Sequence, residues 1–487
     1  MPRLRINLAY NFLLSFSQVL LPLISIPYVS AVLHPGGIGK VSFIDSLSYY
    51  FVTIAEFGIV AYGTREVARV RNDIGKLQKL VSELLTLHCI TSCITLVLYS
   101  ITVFVLWQKI HDLRLILFSV SFLVVNAFAC EWYFFGIEKF RYITFRSLIS
   151  RVLGLISLFI LVKGTEDYYI YYGIIVAAAI INLLTNVFNL FKELHLTLHN
   201  LQWKRHLKYT WVTYLISLFA DIMIWLDNVL LGLVSTVVAV GLYAFSAKII
   251  RIGTNLLTDM FLVLYPRTAS LLHEGKEVEA GETIHKTAQL IILLTIPAGT
   301  GIFLLSKPLV QTLLAGSFIG ATDNLKILAL LPFVKTYRVF LSNQILMSHY
   351  REKLYLKALI AGSTLYIFLA LGFSWYWQDA GACYALIAGE AFILILCYYY
   401  VKTKMPALKL FHGATFFQSL ITAALFIPVV KLINAQIASP ALILIVSVII
   451  CIPLYFLVQL FIMKNKLVTE LYKIAKTFVN TGLTKTS

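Results

Sequence analysis

A chain of 487 residues that is 60% hydrophobic and 13% charged, with a mean hydropathy of +0.85, is too apolar to fold as a soluble globule. Soluble domains carry roughly twice that share of charge. The formal net charge of +17 is spread over many short loops, which weighs against a nucleic-acid-binding face, where basic residues cluster.

In chain order the predicted spans are 8–33, 41–63, 82–107, 113–135, 145–163, 169–191, 210–233, 236–265, 287–306, 325–349, 354–374, 380–401, 412–432 and 440–463. Each approaches or exceeds the roughly 20 apolar residues that cross a bilayer as a helix. Backbone polar groups find no water in lipid, so only helices or a closed barrel can span. These runs are too long and too continuously apolar for barrel strands, which alternate over about ten residues. The predicted fold is an all-α polytopic membrane protein with about 14 transmembrane helices, or about 12 if a marginal pair near the C-terminus merges or lies at the surface. The first apolar run is too long for the core of a cleavable signal peptide and lacks a small-residue cleavage pattern.

The basic residues test this map, because cytoplasmic loops carry the Lys/Arg excess. Arg3 and Arg5 precede the first span, and every second loop after it is basic. The clearest are Arg65 to Lys79, Lys139 to Arg151, Lys192 to Lys208 and the tail, with Lys464, Lys466, Lys473, Lys476 and Lys485. Of the 40 Lys and Arg, twenty-nine fall on that side and seven on the other. Both termini are therefore predicted to be cytoplasmic.

The remaining four basic residues are Lys248 and Arg251 in the eighth span and Lys335 and Arg338 in the tenth. A charge at the centre of a membrane helix costs about 2.5–3.5 kcal/mol on insertion scales, so it needs a cavity or a partner. Each pair is spaced i, i+3, which puts both members on one helix face. Two readings stay open. The four form a cationic patch that holds a phosphate or carboxylate, with Arg able to grip two oxygens. Alternatively they neutralise acids, for which Asp221, Asp227 and Glu390 are suitable partners. Asp45, Glu56, Asp221, Asp227, Asp259 and Glu390 all fall inside predicted spans, and any could carry a proton or sodium ion. Glu131 is predicted to be interfacial.

The second and eighth spans resemble each other. Gly39-Lys-Val-Ser-Phe43, Glu56, Tyr62 and Arg65 match Gly241-Leu-Tyr-Ala-Phe245, Asp259, Tyr265 and Arg267, with a slip of about one residue. The repeat predicts two pseudo-symmetric six-helix lobes, residues 1–200 and 201–405, followed by two extra helices and a basic tail at 406–487. Transporters with this plan carry substrate at the lobe interface. Cys89, Cys93, Cys130, Cys383, Cys397 and Cys451 lie within or near apolar runs and read as small core residues. Neither a metal cluster nor a cofactor is expected. Pro22, Pro27, Pro297, Pro428 and Pro453 interrupt spans, and Trp132, Tyr133, Trp203, Trp375 and Trp377 read as interface aromatics.

Several segments, in order along nearly the whole chain, carry a family resemblance. They are Gly36-Gly-Ile-Gly-Lys-Val-Ser-Phe43, Glu56-Phe-Gly58 and Tyr62-Gly-Thr-Arg-Glu66; Glu131-Trp-Tyr-Phe-Phe-Gly-Ile-Glu-Lys139; Leu226-Asp227 with Leu231-Gly232, Val240-Gly241, Tyr243 and Ala247-Lys248; and Leu313-Leu314-Ala-Gly316 with Phe318 and Ile327-Leu328-Ala329. The chain resembles O-antigen flippases of the Wzx type, in the multidrug/oligosaccharidyl-lipid/polysaccharide (MOP) exporter superfamily. It departs from the family pattern at Phe135, where a Gln is usual. The resemblance implies a lipid-linked oligosaccharide on undecaprenyl diphosphate as cargo, moved to the periplasmic leaflet of the bacterial inner membrane. It also implies coupling to a proton or sodium gradient, with a polysaccharide polymerase and a chain-length regulator as partners. A peptidoglycan-precursor flippase and a multidrug antiporter of the same superfamily are the alternatives. An enzyme is not expected, since the stretches between spans are short and no nucleophile–base pair stands out.

Overall fold

The computed structural model describes residues 2–197, 199–262 and 264–473. Lys476 and Lys485 lie outside the described residues, as do the side chains of Arg3 and Arg5. The fold is all-α and polytopic, with no strand among the described residues. Ten helical stretches are long and apolar enough to cross a membrane. Two of these contain two predicted spans each. In α1 (Pro2–Glu56) the helix breaks at His34, φ 51° and ψ 175°. Pro35 follows, and a residue before proline is pushed out of the helical region. The second break is in α16 (Glu352–Lys404), at Gln378. The predicted spans at 113–135 and 325–349 are the interrupted ones. The first is α5 (Leu113–Asn126) followed by α6 (Glu131–Gly136). The second is α14 (Ala321–Leu328), then α15 (Leu331–Val339) and a π-helical stretch to Met347. Pro332 sits in the first turn of α15, where its missing N–H costs nothing.

The predicted second span, 41–63, ends early. Phe57 (φ 48°) and Gly58 (φ 73°) both turn left-handed, and α2 (Ile59–Val70) restarts the chain. A Cβ on Gly58 would lie 2.8 Å from the Tyr214 backbone nitrogen, so the position needs both the conformation and the space of glycine.

Two compact units divide the chain. One comprises Met1–Ala244 and Tyr366–Ala382, the other Phe245–Leu365 and Cys383–Ser487. In the first unit α1 is central. It packs against α3 (Ile74–Val105), α5, α7 (Phe140–Leu161), α8 (Tyr168–Glu193), α9 (Lys204–Asp221) and α10 (Asp227–Val234). Two of the segments that carried the resemblance meet here. A Cβ on Gly63 would sit 2.8 Å from the Trp132 ring, and one on Gly136 would sit 2.5 Å from the Val67 side chain. Arg71 closes the contact on Glu138 at 2.6 Å. Beneath it Glu83, fully buried, accepts from Arg205 at 2.6 Å and pairs with His206 at 2.9 Å, whose other nitrogen meets Tyr62. These motifs therefore build a packed basic end. Phe135, at the departure from the family pattern, lies against Phe140. At the opposite end of α5, Asp112 caps the helix and accepts from Arg114 and Tyr168. Burial pushes the Asp112 carboxyl up, and these bonds more than offset it, so its pKa lies below the usual value.

The repeat glycines also have a packing role. Gly39 faces the start of α11 (Val237–Leu262), and Gly241 on α11 faces Pro35. A Cβ on Gly39 would lie 1.9 Å from the Val237 carbonyl oxygen, and one on Gly241 would lie 2.0 Å from that of Pro35. Both obstacles are backbone, so the helices would have to separate. Small residues at such crossings let membrane helices approach closely. We expect Gly39→Ala and Gly241→Ala each to cost about 1–3 kcal/mol, as overpacking does. A lowered melting temperature of the detergent-purified variants would register this, and wild-type melting in both would rule out the close crossing.

In the second unit α13 (Glu277–Leu313) is central. Around it stand α12 (Tyr265–His273), α14, α15, α17 (Gly413–Ala424), α18 (Phe426–Gln436) and α19 (Pro440–Leu457). Tyr455 donates to the Leu293 carbonyl at 2.9 Å and ties α19 to it.

Candidate functional site

The second unit carries the four basic residues found inside predicted spans. On α11, Lys248, Arg251, Asn255 and Asp259 follow one another at spacings of three, four and four. At about 100° per residue they fall within an arc of about 80°. Lys248 and Asn255 are exposed, Arg251 is half-buried and Asp259 is exposed. Lys248 lies 6.0 Å from the Phe245 ring, itself buried and stacked on Phe318. Among the described residues no acid pairs with Lys248.

Helix α15 supplies Lys335 to the same strip. Its Nζ donates to Asn255 Oδ1 at 3.1 Å. Thr258 and Thr336, buried and 3.1 Å apart, join the two helices just behind. Asp259, Arg251 and Glu390 lie close enough to act on the Lys335 charge. The ammonium thus has a neutral partner and donors to spare. Three cations, an amide and one carboxylate make a strip that can hold an anion with several oxygens.

Arg338, one turn beyond Lys335, points elsewhere. It is buried and forms a two-pronged ion pair with Glu390, through Nε to one oxygen and Nη2 to the other at 3.4 Å. Nη1 donates to Tyr355 at 3.0 Å. Its charge is therefore already matched within the protein, by one of the acids that the sequence offered as a partner.

The other acids lie in the first unit. Asp221 accepts from Thr53 at 2.8 Å. Glu56, one turn on from Thr53, is close enough to Asp221 for their charges to interact. Two neighbouring carboxylates repel when both are ionised, so a shared proton or sodium ion relieves the site. Asp227 is buried, accepts from Tyr243 at 2.9 Å and from the Asn228 backbone at 2.7 Å, and heads α10. Asp45 is half-buried, near Tyr49, Tyr99 and Tyr172. Glu131 pairs with Arg146 at 2.5 Å. Among the described residues no group of three or more metal-ligating side chains occurs.

Asn255 carries no charge, so hydropathy and charge patterning do not mark it. Its signal was present, since it continues the spacing from Lys248 and Arg251 to Asp259. Tyr355 had no sequence signal, because its role depends on where Arg338 turns.

Comparison with known proteins gives consistent findings. A model of the family described as polysaccharide biosynthesis protein matches residues 4–272. Over 414 residues the chain is 26% identical to an Escherichia coli (strain K12) protein named "Putative O-antigen transporter", covering 82% of this chain and 97% of that one. A protein of the same name from Shigella dysenteriae is 24% identical over 408 residues, covering 81% and 99%. Among solved structures, the lipid II flippase MurJ in an inward closed conformation aligns with a TM-score of 0.63 at 13% identity, over 93% of this chain and 97% of that one. An inward-facing multidrug resistance MATE family transporter of the MOP superfamily aligns with a TM-score of 0.60 at 14% identity, over 82% and 98%. At such identities the structural likeness establishes the fold.

Proposed function

The chain belongs to the polysaccharide biosynthesis protein family, and from that membership we propose that it is a flippase. Its cargo is an oligosaccharide repeat unit carried on undecaprenyl diphosphate, moved from the cytoplasmic to the periplasmic leaflet of the bacterial inner membrane. The observation that carries this reading is the cationic strip of Lys248 and Arg251 on α11, which also bears Asn255, completed by Lys335 from α15. A diphosphate offers several charged oxygens, and guanidinium and ammonium groups bind these more strongly than neutral donors do. The names of the curated relatives support the same cargo class.

The lobes at 1–200 and 201–405 alternate access to the strip, while the sugars cross in water and the polyprenyl chain stays in lipid. Arg338 serves the same face indirectly, by holding α15 against Glu390. Glu56 with Asp221, and Asp259 beside Lys335, are the groups proposed to bind the coupling proton or sodium ion. Both termini lie in the cytoplasm. The exported unit is handed to a polysaccharide polymerase and a chain-length regulator.

Deletion of the gene in its host tests this directly. Surface polysaccharide should disappear while lipid-linked repeat units accumulate, and the plasmid-borne chain should restore export. Normal surface polysaccharide after deletion, combined with rescue of a strain depleted of its peptidoglycan-precursor flippase, would replace the cargo assignment with that of a peptidoglycan lipid.

A further inference from the structure

A long groove runs over the first unit between α7 and α8, away from the cationic strip. It consists of two adjoining cavities of about 660 and 350 Å³ that share Ser150 and Ile181. The larger lies at the basic end and is lined by Arg141 and Arg146. The smaller continues between the helices to Leu161 and Tyr169. Its depth comes from small residues, among them Gly154, Gly173 and Ala177. Phe145, Ile149, Leu153 and Leu161 stand exposed along its rim at 46–58% of their surface, as side chains facing lipid do.

The basic end is built to meet an anion. Arg141 is exposed and has no ion-pair partner among the described residues, resting only on the Phe145 ring at 6.0 Å. Arg146 is 9% exposed. Its Nη atoms are engaged by Glu131, Asn186 and Ser147, but its Nε has no partner. That Nε is itself buried and does not open onto the cavity, so Arg141 is the cation a ligand in the groove can reach. Lys139, also in the lining, is already paired with Glu193, and Glu138 with Arg71.

The length of the groove selects the ligand. From Arg141 to Leu161 an α-helix advances about 30 Å, which is the full hydrocarbon thickness of a bilayer. An acyl chain of a phospholipid reaches only about half that depth. We propose that this groove binds a polyprenyl phosphate, with its phosphate on Arg141 and its single long chain lying between α7 and α8. The choice of a polyprenyl lipid rests on the flippase function proposed above; the groove would receive such a lipid at the membrane surface, separately from the strip on α11.

The test is retention of undecaprenyl phosphate by the purified full chain in phosphatidylethanolamine nanodiscs, read by native mass spectrometry. Farnesyl phosphate and dioleoyl phosphatidylglycerol serve as competitors. Undecaprenyl phosphate should be retained, and each competitor should be at least about tenfold weaker, because within lipid retention depends on packing along the whole groove, which only the long chain fills. Arg141→Glu and Gly154→Leu should each weaken retention about tenfold or more, equal to about 1.4 kcal/mol. A Cβ at Gly154 meets nothing closer than Ile174 at 3.8 Å, so its side chain enters the groove without moving backbone. Arg141 is exposed, so its substitution keeps the test available if Gly154→Leu folds poorly. Retention unchanged in Arg141→Glu, or equal displacement by phosphatidylglycerol, would overturn the assignment. Either result leaves the deletion experiment, and with it the flippase reading, untouched. Conversely, normal export after deletion combined with the expected retention pattern would sink the flippase reading and leave the groove.

Discussion

Glu390→Ala is expected to destabilise the protein by about 3–5 kcal/mol, the usual cost of stranding one member of a buried ion pair. Arg338 is 8% exposed and Glu390 4% exposed, so neither reaches solvent when its partner is lost. Tyr355 alone would then face the guanidinium, and Arg251 and Lys335 would add to the unbalanced charge nearby. The reverse change, Arg338→Ala, should be milder. A lone carboxyl can take up a proton and become neutral, whereas a guanidinium cannot. The double variant Arg338→Met/Glu390→Leu should regain most of the loss, because an apolar pair of similar volume often replaces a buried ion pair without penalty. Thermal melting followed by size-exclusion chromatography in detergent gives the ranking: wild type close to the double variant, then Arg338→Ala, then Glu390→Ala. A Glu390→Ala protein that melts like wild type would mean that the pair does not hold α15.

Much of this architecture was legible in the sequence because lipid enforces a simple code. A span must be apolar, helical and about 20 residues long, and the fourteen predicted stretches fall mainly on helices, with breaks inside 41–63, 113–135 and 325–349. The break at His34 falls in the gap at 34–40 between the first two predicted spans, and the gap at 375–379 matches the turn at Gln378. The early end of the second span at Glu56 was not legible. Residues 57–63 are apolar enough to continue it, and the left-handed turn depends on Gly58 fitting against Tyr214 and Thr210, far away in sequence.

The site was legible in its residue types and less so in its pairings. Hydropathy marks Arg338 as a charge out of place and names several acids that could match it. Only the tertiary fold brings it to Glu390, 52 residues on. Asp227, another acid suited to the basic pairs, accepts from Tyr243. Spacing of i, i+3 put Lys335 and Arg338 on one face, yet a long side chain near the edge of a face can turn either way. Lys335 meets Asn255 on α11 and Arg338 meets α16. In the sequence the repeat glycines carry a symmetry signal, and the structure adds their close approach to Val237 and Pro35.

Lys248→Ala and Arg251→Ala, combined, are expected to abolish surface polysaccharide while the protein stays in the membrane at its normal level. Lys248 is exposed and no acid among the described residues pairs with it, so its loss strands no counter-charge. Each charge-assisted contact with a phosphate contributes about 1.5–3 kcal/mol, so each single variant should reduce export about 10- to 100-fold. Arg251→Lys separates charge from geometry. It keeps the positive charge but gives up the planar fork that grips two oxygens at once, so export should fall less than in Arg251→Ala. Lys335→Ala should act in the same direction, since Lys335 completes the strip from the second helix. The comparison with Glu390→Ala is what gives these results meaning. That variant should lose export together with folded protein, whereas Lys248→Ala should lose export alone. Wild-type amounts of surface polysaccharide from the double variant, at equal protein level, would remove the strip on α11 from the path of the anionic headgroup.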